Sequence, residues 1–465
     1  PRVGAWPAGD TVLISPARAG RAIPCGPGGR AAGQNDPMDK LTLRGGRRLD
    51  GDVAIGGAKN AVLPVLAASL LTDRPLRIPN APRLSDVRTM CEVLRELGSG
   101  VEFQPGGGVE VRSSERPATR TGWELVRKMR GSVCVLGPLL ARAGRAEVSL
   151  PGGCVFGVRP IDVHLKGLEA LGAKVRVDHG YIVAEAPRTG LVGTELFLGT
   201  AFGSSVTGTM NVMMAACLAK GTTVIHGAAC EPEVEDLGHC LQAMGAKIQG
   251  LGSPRIEIEG VTELGGATHS VVPDRIEAGT FLVAGAIAGG RVRVTGCRPE
   301  HLSALVDRLF EAGFGVERGP DWLEVHSDGQ RARPTDVTTQ TFPGFPTDLQ
   351  AQWMALMCRA DGVSLITERI YPDRYMHLPE LVRLGAHIRR QESVAIVQGT
   401  DRLSGAHVTA SDLRASAALV LAGLVCEGET QVHRVYHIDR GYERIEERLS
   451  SLGADILRER DEEGP

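Results

Sequence analysis

The loop Ser149-Leu-Pro-Gly-Gly-Cys-Val-Phe-Gly-Val-Arg-Pro160 sets Cys154 among glycines, five residues ahead of Arg159. A guanidinium stabilises a thiolate and raises its reactivity, and a glycine-flanked loop can close over a substrate. Without that role, Cys154 is an exposed thiol in a turn. Gly56-Gly-Ala-Lys-Asn-Ala61 precedes an apolar run. Backbone amides at a helix start, together with Lys59, suit an anionic group; otherwise Lys59 is a solvated side chain beside a turn. The Gly-Lys-Ser/Thr order of a Walker loop is missing. Arg130, Arg159, Arg374, Arg414 and Arg440 fall at expected helix edges or turns, three of them within two residues of Asp373, Asp412 or Asp439. An arginine held by a carboxylate is suited to phosphate or carboxylate. Singly each reads as a surface ion pair; together they suggest an anion-lined cleft. Asp348 and Asp412 stand at expected helix starts, where an aspartate is an N-cap or a base facing the cleft. His164 is a phosphate contact or a structural polar residue.

These residues need elements to hold them. A leucine followed four residues later by glycine recurs as Leu94/Gly98, Leu168/Gly172, Leu241/Gly245, Leu309/Gly313, Leu381/Gly385 and Leu449/Gly453. Each predicts the last turn of an amphipathic helix, stopped by glycine and followed by a strand. Between them, Ala-rich helices run into alternating strands, as in Ala215–Lys220 before Gly221-Thr-Thr-Val-Ile225. Six units over residues 38–465 average about 71 residues (428/6), too large for solenoid repeats. Three units per domain give two similar halves with a cleft between them, where ligands bind.

Composition narrows the class. A chain of 465 residues, 42% hydrophobic, is too long for one core and too apolar for disorder. With 4% aromatics, the core must be Ala, Val, Leu and Gly. A net charge of −3 argues against nucleic-acid binding by bulk charge. The longest apolar run, Ala415–Cys426, is too short to span a bilayer, and no signal-peptide pattern is present. A cytoplasmic setting is the default expectation. Most of the ten cysteines lie in apolar runs and none forms Cys-x-x-Cys, which argues against zinc. Residues 1–37, rich in Pro, Gly, Ala and Arg, read as a flexible leader before Met38.

The strings Gly57-Ala-Lys-Asn60, Leu150-Pro-Gly-Gly-Cys154, Phe345-Pro-Thr-Asp348, Asp412-Leu-Arg-Ala-Ser416 and Tyr436-His-Ile-Asp-Arg-Gly-Tyr-Glu-Arg444 occur in order. From Met38 to about Arg458 the chain resembles the UDP-N-acetylglucosamine 1-carboxyvinyltransferase family of enolpyruvyl transferases. The resemblance implies an α/β fold, a two-domain inside-out barrel with three β-α-β-α-β-β units in each domain. It places residues 38–59 plus 273–465 in one domain and 60–272, with the Cys154 loop, in the other. Phosphoenolpyruvate and UDP-N-acetylglucosamine are the implied substrates, and enolpyruvyl-UDP-N-acetylglucosamine and phosphate the products. No metal or organic cofactor is implied, nor any nucleic-acid or membrane partner.

Roles carry over by resemblance. Asp348 takes the proton of the sugar 3-hydroxyl, and Cys154 protonates the enolpyruvyl C3 and is the site of attack by the epoxide fosfomycin. Lys59, Arg159 and Arg440 hold the phosphate; Arg374, Arg414 and Arg440 hold the carboxylate, with Asn60 close by. Asn60, Arg130, the run Arg159, Pro160, Ile161, Asp162, Val163 and His164, the stretch Ser204, Ser205 and Val206, and also Asp348 and Ile370, face the sugar nucleotide. Asp412 orients Arg440 and assists the elimination. Two departures from the family pattern are Thr207-Gly208 after Ser205-Val206, and Phe156 on the cysteine loop. Two alternatives share the fold: a shikimate 3-phosphate enolpyruvyl transferase and a catalytically silent UDP-sugar sensor.

Overall fold

The computed structural model describes residues 39–104, 107–150 and 161–461. The leader and the Cys154 loop, with Arg159 and Pro160, lie outside the described residues.

All six leucine–glycine strings end a helix in the same way. Gly98, Gly172, Gly245, Gly313, Gly385 and Gly453 have φ between +90° and +105°, a region costly for a residue with a Cβ. Each glycine N–H donates three residues back, and the next residue donates to the leucine carbonyl, as Ser99 N does to Leu94 O at 2.9 Å and Ala454 N to Leu449 O at 3.0 Å. These paired bonds satisfy carbonyls that the helix end would leave open.

After each glycine the chain enters a sheet. In one, Leu49–Ala54 runs parallel to Gly290–Thr295, which pairs antiparallel with Trp322–Ser327, and that with Gly315–Arg318. Four other four-stranded sheets follow the same parallel-then-antiparallel order. The three-stranded sheet of Arg145–Ser149, Tyr181–Glu185 and Lys174–Asp178 has a parallel bridge from Arg120 to Glu147 in the corresponding place. The strand Asp39–Arg44 sits between Glu429–His433 and Asp455–Arg460, so one sheet needs both ends of the described chain.

The helices between the sheets are interior. Leu413–Gly423 buries all its residues, as does Gln350–Met357, while Arg275–Ala288 buries every residue through Ala286. Burial on every side favours apolar residues, which accounts for the Ala- and Leu-rich stretches of these segments; the buried polar exceptions include Arg275, Thr280, Gln352 and Arg414. Small residues let them approach closely: a Cβ on Gly137 would lie 2.2 Å from Asn211 O.

Two hydrophobic cores result. One runs from Ala58 to Val272; the other joins Leu41–Val53 to Ile276–Ile456. The chain passes between them twice, at Gly57 and at Pro273, and the two passages pair as an antiparallel bridge. Ala58 N donates to Val272 O at 2.7 Å, and Asp274 N to Gly56 O at 2.9 Å. Gly57 is required here by packing, because a Cβ would lie 2.5 Å from Asn80 O. Among the described residues, no helix is long and apolar enough to cross a membrane.

Candidate active site

The chemistry-bearing residues gather at the starts of the interior helices, beside these passages. Lys59 opens the helix Lys59–Ala68; its backbone N–H donates to Asp274 Oδ2 at 3.0 Å. Its ammonium pairs with Asp86 at 2.9 Å, and Arg440 Nε pairs with the other oxygen of Asp86, also at 2.9 Å. Asp86 lies in the first turn of Ser85–Glu96. Burial alone would raise its carboxyl pKa; Lys59 and Arg440 outweigh that and hold it below its ordinary value.

Asn60, one residue on, donates to Asp348 Oδ2 at 3.3 Å. Asp348 is the centre of a second group. Arg374 Nη1 reaches its Oδ1 at 2.7 Å, and Arg414 Nη2 its Oδ2 at 3.4 Å. Burial pushes this carboxyl up as well, but Arg374, Arg414 and Lys59 reverse the effect and hold it far below the usual carboxylate range. Asp348 is therefore a fixed anion here, and a stronger base only when its guanidinium partners turn to another anion. Arg414 is 1% exposed and is stabilised as a cation by the Tyr442 hydroxyl and Asp348, while its Nε and Nη1 make no close hydrogen bond among the described residues. A buried guanidinium with donors to spare is suited to an incoming carboxylate or phosphate.

Asp412 differs. It caps Leu413–Gly423, accepting from Arg414 N at 2.9 Å and Ala415 N at 3.0 Å, and burial raises its pKa.

A third group forms at other helix starts. Ser205 caps Val206–Ala216 by accepting from Gly208 N at 3.2 Å, with Ser204 just ahead and Ile161, Asp162 and Val163 at the start of Asp162–Ala170. A Cβ on Gly208 would lie 3.0 Å from Val163, so the two helix starts abut. His164 is 2% exposed. Asn211 Nδ2 donates to its Nδ1 at 2.9 Å, so its Nε2–H donates to Thr207 Oγ1 at 3.2 Å. Burial, reinforced by Arg130, pushes its pKa down to about 4, so the ring is neutral at pH 7. Thr207, one of the two departures from the family pattern, is thus tied to His164.

Sequence reasoning missed three supports. Asp86 reads as an ordinary acidic residue in a helix's first turn, and its two cations come from far along the chain. Asp274 caps Arg275–Ala288 while also holding Lys59 N. Glu368, fully buried, accepts from Thr339, Thr347, Ile370 N and Tyr371 N, and so fixes the turn that carries Ile370 and Arg374. Away from the helix starts, Glu317, Glu324 and His326 cluster on one sheet, but Glu324 already accepts from Arg293 at 2.6 Å and Arg291 at 2.8 Å.

The family model for EPSP synthase (3-phosphoshikimate 1-carboxyvinyltransferase) matches residues 43–449. Proteins described as UDP-N-acetylglucosamine 1-carboxyvinyltransferase are similar along almost their full length. That of Caulobacter sp. (strain K31) is 53% identical over 90% of this chain and 97% of its own. That of Anaeromyxobacter sp. (strain K) is 55% identical over 91% of this chain and 100% of its own. Among solved structures, the enolpyruvyl transferase NikO from Streptomyces tendae aligns with a TM-score of 0.80 at 26% identity, covering 91% of this chain and 99% of that one. EPSP synthase from Acinetobacter baumannii aligns at 0.67 with 18% identity, over 91% of this chain and 100% of that one, a likeness of fold. The matched span, the end-to-end identity and the shared fold lead to one conclusion: this chain belongs to the EPSP synthase family of 1-carboxyvinyltransferases.

Proposed function

We propose that the chain transfers the enolpyruvyl group of phosphoenolpyruvate to the 3-hydroxyl of UDP-N-acetylglucosamine and releases phosphate, the first committed step of peptidoglycan synthesis. The observation that carries this reading is the 53–55% identity, over nine-tenths of the chain, to proteins described by that activity. The Asp348 group supplies a chemical rationale. The substrate carboxylate takes the spare donors of Arg414 and competes for Arg374. Relieved of these partners, Asp348 regains basicity and accepts the 3-hydroxyl proton as the oxygen attacks C2. Cys154 gives a proton to C3, producing a tetrahedral intermediate. Loss of a C3 proton and rupture of the C2–O bond to phosphate then yield the enol ether. Lys59, Arg159 and Arg440 neutralise the departing phosphate, and Asp412 acts through its neighbours. Arg130, the 159–164 run, Ser204–Val206, Asn60 and Ile370 receive the sugar nucleotide.

The same reading takes the six sheets as six β-α-β-α-β-β units of an inside-out barrel. Residues 38–59 plus 273–465 and residues 60–272 are its two domains, working in the cytoplasm without metal or organic cofactor.

Phosphate release by the purified chain, with UDP-N-acetylglucosamine or shikimate 3-phosphate as acceptor, tests the proposal. Turnover with the first alone supports it, turnover with the second replaces it, and binding without turnover makes the chain a sensor. Fosfomycin labelling should fall on Cys154 and accelerate with the UDP-sugar. Burial pushes Cys134, Cys217 and Cys358 up to about 12 and keeps them inert.

A further inference from the structure

Behind Asp348 and Arg414, the interior helices of the second core do not meet through apolar side chains alone. Arg275–Ala288 contributes Thr280, Gln350–Met357 contributes Gln352, and Tyr442 enters just after the turn Val435–Arg440. All three are at most 1% exposed. Their bonding follows by elimination. Thr280 Oγ1 donates to Ile276 O at 2.8 Å, so the Tyr442 hydroxyl donates to Thr280 Oγ1, also at 2.8 Å. Gln352 Nε2 donates to Asp348 O at 3.0 Å and lies 3.3 Å from the Tyr442 hydroxyl oxygen. The Arg414 guanidinium lies over the Tyr442 ring, 5.2 Å from its centroid.

A phenol, an amide and a hydroxyl buried this deeply hold a packed interior no better than apolar groups of the same shape. Here they form an unbroken link from the backbone of Asp348 to the face of Arg414. We propose that Tyr442 is a positioning residue for the transfer: its hydroxyl, locked by Thr280 and Gln352, fixes the ring that aims Arg414 at Asp348 and at the substrate carboxylate. The inference rests on the transferase reading above.

Tyr442→Phe keeps the ring and deletes the lock. The expected result is about a tenfold fall in kcat/KM for phosphoenolpyruvate, mostly in KM, the size of one lost hydrogen bond. KM for the UDP-sugar should stay within about twofold, as expected when only the carboxylate contact weakens. The acid limb of kcat/KM should move to higher pH, because Asp348 is loosened from Arg414. The other charges facing Asp348 (Arg374, Lys59, Arg275 and Asp412) are untouched. Thr280→Val should shift both readouts in the same direction, and Thr280→Ser should restore them; this pair decides the matter if Tyr442→Phe does not fold. A lower melting temperature with unchanged KM and pH profile would reduce Tyr442 to packing and overturn the inference. A wild-type chain that releases no phosphate with UDP-N-acetylglucosamine would instead overturn the transferase reading.

Discussion

Asp274, Asp348 and Asp412 stand at the starts of three interior helices in one core and do different work. Asp274 and Asp412 each accept two backbone N–H groups of their own helix. Asp348 stands in the short 3-10 turn Thr347–Leu349 ahead of Gln350–Met357, and its carboxylate oxygens accept from the side chains of Arg374, Arg414 and Asn60. A carboxylate used as a cap is bound to the helix it starts. One rotated away by a 3-10 entry is open to cations and substrate. Position along the repeat does not separate these roles; the local turn does.

The largest effect should come from Asp348→Asn, which keeps the shape and removes the base. Turnover should fall by roughly 10³-fold, within the range of a lost general base, while UDP-sugar affinity, read by calorimetry, changes little. Wild-type phosphate release would end the contrast between base and caps.

Acidity offers a second separation. The Asp348 carboxyl is held low, so its contribution is present above its unfolded pKa, near pH 4, and is lost only as pH falls through the folded value. It adds nothing to a loss of stability between pH 7 and 5. His164 behaves otherwise. The folded ring takes a proton near pH 4 and the unfolded one near 6.5, so stability falls as pH drops through that window. The full amount is about 3 kcal/mol, the free energy that separates proton uptake near pH 4 from uptake near pH 6.5. His377 and His437, lowered to about 3 and about 4 by burial, add to it. Melting curves of wild type and His164→Gln at pH 7 and 5 should differ in slope; parallel shifts would show that His164 is not buried neutral.

The cap aspartate should show the smallest effect. Asp412→Ala should cost about 1 kcal/mol in denaturant unfolding, the usual value of an N-cap, and Asp412→Asn only a few tenths. If Asp412→Asn nevertheless slows turnover as strongly as Asp348→Asn, the cap aspartate also takes part in the chemistry.

Much of this was legible in the sequence. The six helix-ending glycines could be read because a left-handed residue closing a helix has few chemical solutions, and glycine is the common one. The Ala-rich helices were legible from composition, but their interior placement came only with the family resemblance, because polar residues such as Thr280, Gln352 and Arg414 interrupt the apolar pattern. The use of Asp348 was not, because capping and catalysis ask for the same residue at the same place. Asp86 escaped for a different reason: its partners Lys59 and Arg440 are joined to it only by the fold. Tyr442 lay inside a recognised string, yet its link to Thr280 crosses 162 positions of chain.

The paired passages at Gly57 and Pro273 have a consequence for biosynthesis. On the ribosome, the segment between them emerges before most of the second core is made, and since its ends meet in the folded chain at 2.7 Å across Ala58 and Val272, it can complete its own core while translation continues. The strand Asp39–Arg44, by contrast, must wait for Glu429–His433 and Asp455–Arg460, which are made long after it. Until both are made, that strand has unpaired edges, the kind of exposure that chaperones shield.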